Sequence, residues 1–212
     1  MRIAVINENS QAAKNNIIFN AVKNVCEAKG YEVRNYGMYS AEDEAQLTYP
    51  QVGILGATLL NSGAADFVIT GCGTGQGAML ALNSFPGVVC GHVEDPLDAY
   101  TFSQINAGNA ISLPFAKGFG WGGELNLEYI IEKLFIEEAG LGYPRERAAI
   151  MARNRDVLAS VRDTTLRGFP TILRELDREL VRGAFATQGF KDYFNADCQC
   201  TITHETVKEI LG

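Results

Sequence analysis

Ile69-Thr70-Gly71-Cys72-Gly73-Thr74-Gly75-Gln76-Gly77 decides how this chain is read. Phe67-Val68-Ile69 leads into it as an apolar strand, and Ala78-Met79-Leu80-Ala81-Leu82 follows at once. The pattern is strand, glycine loop, helix. Glycine lacks a Cβ, so it reaches positive φ and lets a ligand approach the backbone. Amides gathered ahead of a helix N-terminus hold an anion or a developing oxyanion. Fields of that kind favour thiolate, and Cys72 stands inside this one. The stretch therefore suggests a loop that cradles an oxyanion and presents a thiol to a carbon acid. Read alone, Cys72 could equally be a small buried cysteine in a tight turn.

Outward from the loop, strands and helices alternate. Residues 2–6 read as a buried strand ending at Asn7-Glu8-Asn9-Ser10. A helix is expected from about 12 to 29, since Ile17, Ile18, Ala21, Val22 and Val25 recur at helical spacing. Tyr31 to Tyr36 alternates as a second strand, and Tyr49-Pro50 opens a second helix after a polar loop. Beyond the glycine loop, a helix over 77–84 stops at Phe85-Pro86-Gly87. Val88 to Val93 is a fourth strand, Asp95-Pro96 starts a helix to about 105, and Ala110 to Leu113 is a fifth strand. A helix over 124–138 closes this part. Such alternation predicts a parallel sheet covered on both faces. Ligands then bind beyond the carboxyl ends of the strands, where the strand order reverses. If the first and third strands are neighbours, Glu8 and Cys72 open onto one crevice.

Past Gly140-Leu141-Gly142-Tyr143-Pro144 the chain turns helical and arginine-rich, with Arg145, Arg147, Arg153, Arg155, Arg162 and Arg167. Residues 183–202 read as irregular and Thr203 to Leu211 as a last short helix. The expected division is an α/β domain over 1–140 and a helical extension over 141–212, packed on the same domain or on a partner subunit.

The 212 residues suffice for a sizeable core. A net charge of -7 argues against a general nucleic-acid or anionic-membrane surface. No apolar run approaches the roughly 20 residues of a membrane helix. Five sparse cysteines and a start that runs directly into a strand pattern point to a cytoplasmic chain.

The loop, then Ala81-Leu82-Asn83 and Pro86-Gly87-Val88, resembles the ribose-5-phosphate isomerase B / galactose-6-phosphate isomerase family. Tyr49-Pro50, Asp95-Pro96-Leu97-Asp98-Ala99 and Asn106-Ala107-Gly108-Asn109 extend the resemblance over roughly residues 1–140. It implies a Rossmann-like three-layer sandwich with a five-stranded parallel sheet. It also implies a homodimer or tetramer with sites near the subunit interface, and aldose–ketose isomerisation of a phosphorylated sugar without metal or other cofactor. Carried over, Cys72 is the base, with Thr74 assisting. The loop residues Gly73, Gly75, Gln76 and Gly77 stabilise the enediolate. Tyr49 and Asn106 contact substrate. Arg145 and Arg147 stand in the region of the family's phosphate arginines, at a different spacing. Glu8-Asn9 replaces the family's Asp-His pair, and Ile105 replaces a second histidine. Those histidines serve ring opening, so their loss suggests a substrate that arrives open, such as a tetrose or another short sugar phosphate. Glu8 is then the candidate acid–base partner and Asn9 a substrate contact.

Other readings stay beside this one. Gly73-x-Gly75-x-x-Ala78, with Glu94 or Asp95 about twenty residues on, resembles a dinucleotide fingerprint. It follows the third strand, though, and a thiol occupies the place of the pyrophosphate. A non-catalytic sugar-phosphate-binding module would keep the loop and lose turnover with the histidines. His92 reads more readily as a satisfied core histidine than as a replacement. Cys198, Cys200 and His204 fall short of a four-ligand metal set.

Overall fold

The computed structural model describes residues 1–212. Five parallel strands form one sheet in the order β2-β1-β3-β5-β4. They are β1 (Arg2–Asn7), β2 (Glu32–Asn35), β3 (Phe67–Cys72), β4 (Cys90–His92) and β5 (Ala110–Pro114). β1, β3 and β5 lie inside the sheet. They are buried along almost their whole length, as a strand covered on both faces must be. β1 pairs with β3 from Ile3↔Phe67 to Asn7↔Gly71, and β3 with β5 as far as Cys72↔Pro114. The neighbouring of β1 and β3, on which the shared crevice depends, is therefore present.

Helices α1 (Asn15–Ala28) and α5 (Gly123–Leu134) cover one face, where Ile18, Val22, Leu127 and Ile131 meet Val5, Ile69 and Ile111. Helices α2 (Tyr49–Ser62) and α3 (Gln76–Asn83) cover the other. Gly53 lets α2 and α3 approach closely, since a Cβ there would lie 2.7 Å from that of Ala81. The start of the first helical segment differs from the sequence expectation. Asn9–Lys14 forms a tighter 3-10 turn, capped by the Glu8 side chain and kinked at Gln11, before α1 begins. Similarly, α4 (Pro96–Thr101) passes into a π turn over Phe102–Asn106, which Ala107 closes at φ +47°. A non-glycine residue in that region is strained.

The region beyond 140 corrects the expected irregular tail. α6 (Ala148–Thr165) is followed by α7 (Phe169–Glu175), α8 (Arg178–Ala184), α9 (Gln188–Asp197) and α10 (Thr201–Leu211). Local chemistry explains the difference. Asp177 caps α8 through Leu180 N, and Thr187 caps α9 through Phe190 N. Phe190 and Phe194 lie four apart on one helix face and stack at 4.4 Å, with Phe185 stacked on Phe190 at 4.6 Å. These rings join the core beneath α2, so α7 to α10 complete the layer over that face. Each buried phenyl contributes roughly 1.5–3 kcal/mol.

A polar latch fixes the register of this layer. The buried Asp197 accepts from the Tyr36 hydroxyl and pairs with Arg34 at 3.0 Å, while Arg2 donates to its carbonyl at 2.9 Å. With Asp197 buried and Arg34 partly exposed, the pair specifies one arrangement more than it adds net stability. α6 behaves differently: none of its side chains is buried, and Ile150, Val157 and Val161 are exposed. No helix is long and apolar enough to cross a membrane.

Candidate active site

Strand order reverses between β1 and β3, since β1 continues to β2 on one side and β3 neighbours β5 on the other. Glu8 follows β1 and Cys72 ends β3 at that point. The Glu8 amide donates to the Gly71 carbonyl at 3.3 Å. Both side chains are buried. The Glu8 carboxylate accepts from the Ser10 amide at 3.0 Å and from the Ser10 hydroxyl. That hydroxyl lies 3.7 Å from where a Cβ on Gly73 would stand, which places Ser10 against the loop. Ser10 escaped the sequence reading. Its signal is the Glu8-x-Ser10 spacing at a helix entry, which is a capping pattern.

The loop is braced from one side. The carbonyls of Cys72, Gly73, Thr74 and Gly75 all accept hydrogen bonds. Their donors are Phe115 N at 2.9 Å, Ala116 N at 3.0 Å, His92 Nε2 at 2.8 Å and Ser112 Oγ at 2.6 Å. All four donors lie on β4, on β5 or just after it. These peptides are trans, so each N–H points away from its own C=O. The amides of Gly73, Thr74, Gly75 and Gln76 therefore turn toward the β1 side, where Cys72 and Glu8 stand. The Gly75 amide donates to Cys72 Sγ at 3.1 Å. Gly75 holds φ +76° as the cap of α3, and a Cβ there would lie 2.8 Å from His92 Nε2. At the start of α3 the first-turn amides have no partner further back in the helix. The result is an anion-binding concavity with a thiol at its rim.

The remaining predicted residues divide into two groups. Thr74 and Gln76 are exposed at the mouth, and Thr74 Oγ1 lies 3.4 Å from the Gln76 amide. Gly77 faces the Tyr49 ring, which a Cβ would meet at 3.3 Å. Asn9 is exposed beside Glu8, its amide bonded to Leu47 O at 2.7 Å. All of these lie at the carboxyl end of the sheet, the end at which Cys72 stands. Asn106, Arg145 and Arg147 do not. Asn106 precedes β5, at the amino end of the sheet, whereas Cys72 pairs with Pro114 at the carboxyl end. The five residues of β5 span about 13 Å at the usual rise per residue. Arg145 binds Glu137 at 2.5 Å and Gln104 at 3.4 Å, on the turn that ends at Asn106. Asn106 lines a cavity of about 380 Å³ with Arg155 and Arg162 of α6, and Arg155 donates to Ile105 O at 2.9 Å.

His92 corrects the expectation of a core histidine. Its ring is partly exposed and grips the glycine loop. A carbonyl only accepts, so the proton on that side sits on Nε2. Nδ1 faces Glu94 Oε1 at 3.7 Å, and Lys117 binds the same carboxylate at 2.7 Å. That lysine holds the Glu94 carboxyl below its ordinary range. Burial pushes the thiols of Cys26 and Cys90 up to about 12, which leaves them inert. His204 turns to Asn195 Oδ1 at 2.9 Å, and the Cys198 thiol lies 3.5 Å from Cys200 O.

Comparison with known proteins agrees with this geometry. Residues 3–138 match the family described as ribose/galactose isomerase, and residues 164–210 match one described as ribose-5-phosphate isomerase. The structure of a 4-deoxy-L-threo-5-hexosulose-uronate ketol-isomerase, complexed with a tartrate, superposes with a TM-score of 0.98. It is 57% identical and covers 100% of this chain and 99% of that one. A ribose-5-phosphate isomerase from Vibrio parahaemolyticus is 48% identical over 100% of this chain and 99% of its own, with a TM-score of 0.96. A ribose 5-phosphate isomerase from Thermotoga maritima is 27% identical, covers 71% of this chain and 96% of its own, and reaches 0.55. A parallel α/β sandwich, a Cys-Gly-Thr-Gly loop at its switch point and a family match over most of the chain lead to one conclusion: the chain belongs to the ribose/galactose isomerase family and is a sugar isomerase.

Proposed function

We propose that this protein is an aldose–ketose isomerase that uses Cys72 as its base on an open-chain sugar with an anionic end. The observation that carries the reading is the braced loop: four carbonyls tied back toward β4 and β5, and the Gly75 amide donating to the thiol. Cys72 thiolate removes the proton from C2. The C–H electron pair becomes the C1–C2 double bond, and the carbonyl pair moves onto O1. The loop amides hold the enediolate oxygens as charge develops there. Glu8 moves the proton between O1 and O2, and the thiol returns its proton to C1.

The favoured substrate is a keto-uronate of the kind named for the 57% identical relative. A 4-deoxy-5-hexosulose has no hydroxyl on C4 or C5 to close the usual ring on C1. A site with Asn9 and Ile105 where ring-opening histidines are expected suits such a substrate. A short sugar phosphate is the second reading, supported by the 48% identical relative. The non-catalytic alternative predicts binding without exchange.

A second copy of the chain completes the site in this proposal. Asn106 and Arg145 gather at the end of the sheet opposite Cys72, and the exposed apolar residues of α6 lie on that same side. They serve the partner's Cys72 and hold the substrate's anionic end. The test is proton NMR in deuterated water on a panel of keto-uronates and tetrose and pentose phosphates. Deuterium entering C2 or C1 of a keto-uronate supports the reading. Turnover of ribose 5-phosphate alone, with keto-uronates inert, overturns it.

A further inference from the structure

We propose that His92 is a positioning residue that strengthens the Cys72 thiolate through a single peptide group. The inference rests on the proposed role of the loop and adds a device behind it. His92 Nε2 donates to the Thr74 carbonyl at 2.8 Å. The other end of that same peptide is the Gly75 N–H, which donates to Cys72 Sγ at 3.1 Å. Histidine, peptide and sulfur thus form one line of hydrogen bonds. A donor on the carbonyl oxygen draws electrons away from the amide and makes its N–H a stronger donor, as in any hydrogen-bonded chain. The peptide is also fixed in orientation, because its oxygen is pinned.

No other donor pins that carbonyl. α3 begins at Gln76, and the first helical bond back to the loop runs from Met79 to Gly75 O. Thr74 O is thus left to the imidazole. The ring is in turn seated. Gly75 presents no Cβ, and a methyl there would stand 2.8 Å from Nε2 and 2.9 Å from the Leu113 carbonyl carbon. Behind the ring, Glu94 faces Nδ1 at 3.7 Å and is itself held by Lys117. The imidazole makes no hydrogen bond to the thiol. It acts through the backbone.

The test reads the thiol itself. Wild type, His92→Phe, His92→Leu and His92→Gln are alkylated with iodoacetamide at fixed pH, and the Cys72 peptide is quantified by mass spectrometry. The two donor-less variants differ in bulk, so that one retains the fold if the other does not. Their Cys72 rate is expected to fall about fivefold to tenfold, the effect of one lost hydrogen bond to a neutral carbonyl. His92→Gln keeps an N–H donor and is expected to stay within about twofold. Turnover should lose kcat in the same order, with KM nearly unchanged. Equal rates in wild type and both donor-less variants overturn the proposal, as does an equal loss in His92→Gln. Alkylation reports on the thiol whether or not it is the base. Exchange that survives in Cys72→Ser would therefore sink the proposed base and leave the His92 comparison standing.

Discussion

Gly75→Ala tests the loop at its tightest point. The residue sits at φ +76°, a conformation that costs an L side chain about 1–2 kcal/mol. The added methyl would lie 2.8 Å from His92 Nε2 and 2.9 Å from the Leu113 carbonyl carbon. The imidazole can swing, but the strand backbone cannot, so overpacking adds about 1–3 kcal/mol. Stiffening the unfolded chain returns about 0.4–1 kcal/mol. The net loss is about 2–4 kcal/mol, and at about 2–4 °C per kcal/mol for a domain of this size Tm should fall by about 5–15 °C. Calorimetry or circular dichroism measures it. Turnover should fall at least about 100-fold below the melting range, because the Gly75 and Gln76 amides are no longer aimed. A variant with wild-type Tm and full deuterium exchange would refute the braced-loop reasoning.

Cys72→Ser should abolish deuterium exchange and leave Tm within about 4 °C, since one buried atom changes and the new hydroxyl still accepts from the Gly75 amide; retained exchange would remove Cys72 as the base. Mixing Cys72→Ser with Asn106→Ala should restore about a quarter of wild-type activity, because half the pairs are mixed and each of those carries one intact site; no recovery despite subunit exchange would show that both residues serve within one chain. Phe185→Ala, at a ring stacked on Phe190 at 4.6 Å, should cost about 3–5 kcal/mol in urea unfolding; a loss under 1 kcal/mol would mean that the helical layer is dispensable. Stability should decline as pH rises above 9, the ordinary thiol value, toward about 12, where Cys26 and Cys90 ionise in the folded state. Unfolded thiols release their protons first in that window, so the slope is negative, at up to about 1.4 kcal/mol per pH unit for each thiol. A flat pH profile of the urea midpoint between 9 and 11 would contradict it.

The strand–loop–helix over 67–83 was legible because local pattern alone defines it. Positive φ at Gly75 and the apolar strand before Gly71 are both short-range facts. The pairing of β1 with β3 was inferred from fold class, since register arises from contacts more than sixty residues apart. The sequence could not show which residues back the loop. Ser112 and His92 lie on strands whose apolar runs mark sheet and do not say which side chain reaches the loop. The stretch 183–202 was misread because Thr187 looks like a loop residue. It is a cap, and the aromatic pair Phe190 and Phe194 at a spacing of four was the available clue. Asn106 was singled out by resemblance, and its place at the far end of β5 was invisible without the sheet.

The four tied carbonyls have a further consequence. In the proposed site, the proton-moving half is built into the sheet, braced by β4 and β5, and needs nothing from the sugar to take shape. The residues proposed to meet the far end of the substrate come from a turn and a helix outside that frame. Evolution can therefore exchange one sugar for another by altering the outer residues alone. A carboxylate can take the place of a phosphate without any change in how the proton travels. On the proposed site, the separation of a fixed chemical engine from a replaceable address accounts for relatives at 57% and 48% identity that carry the names of different substrates on one fold.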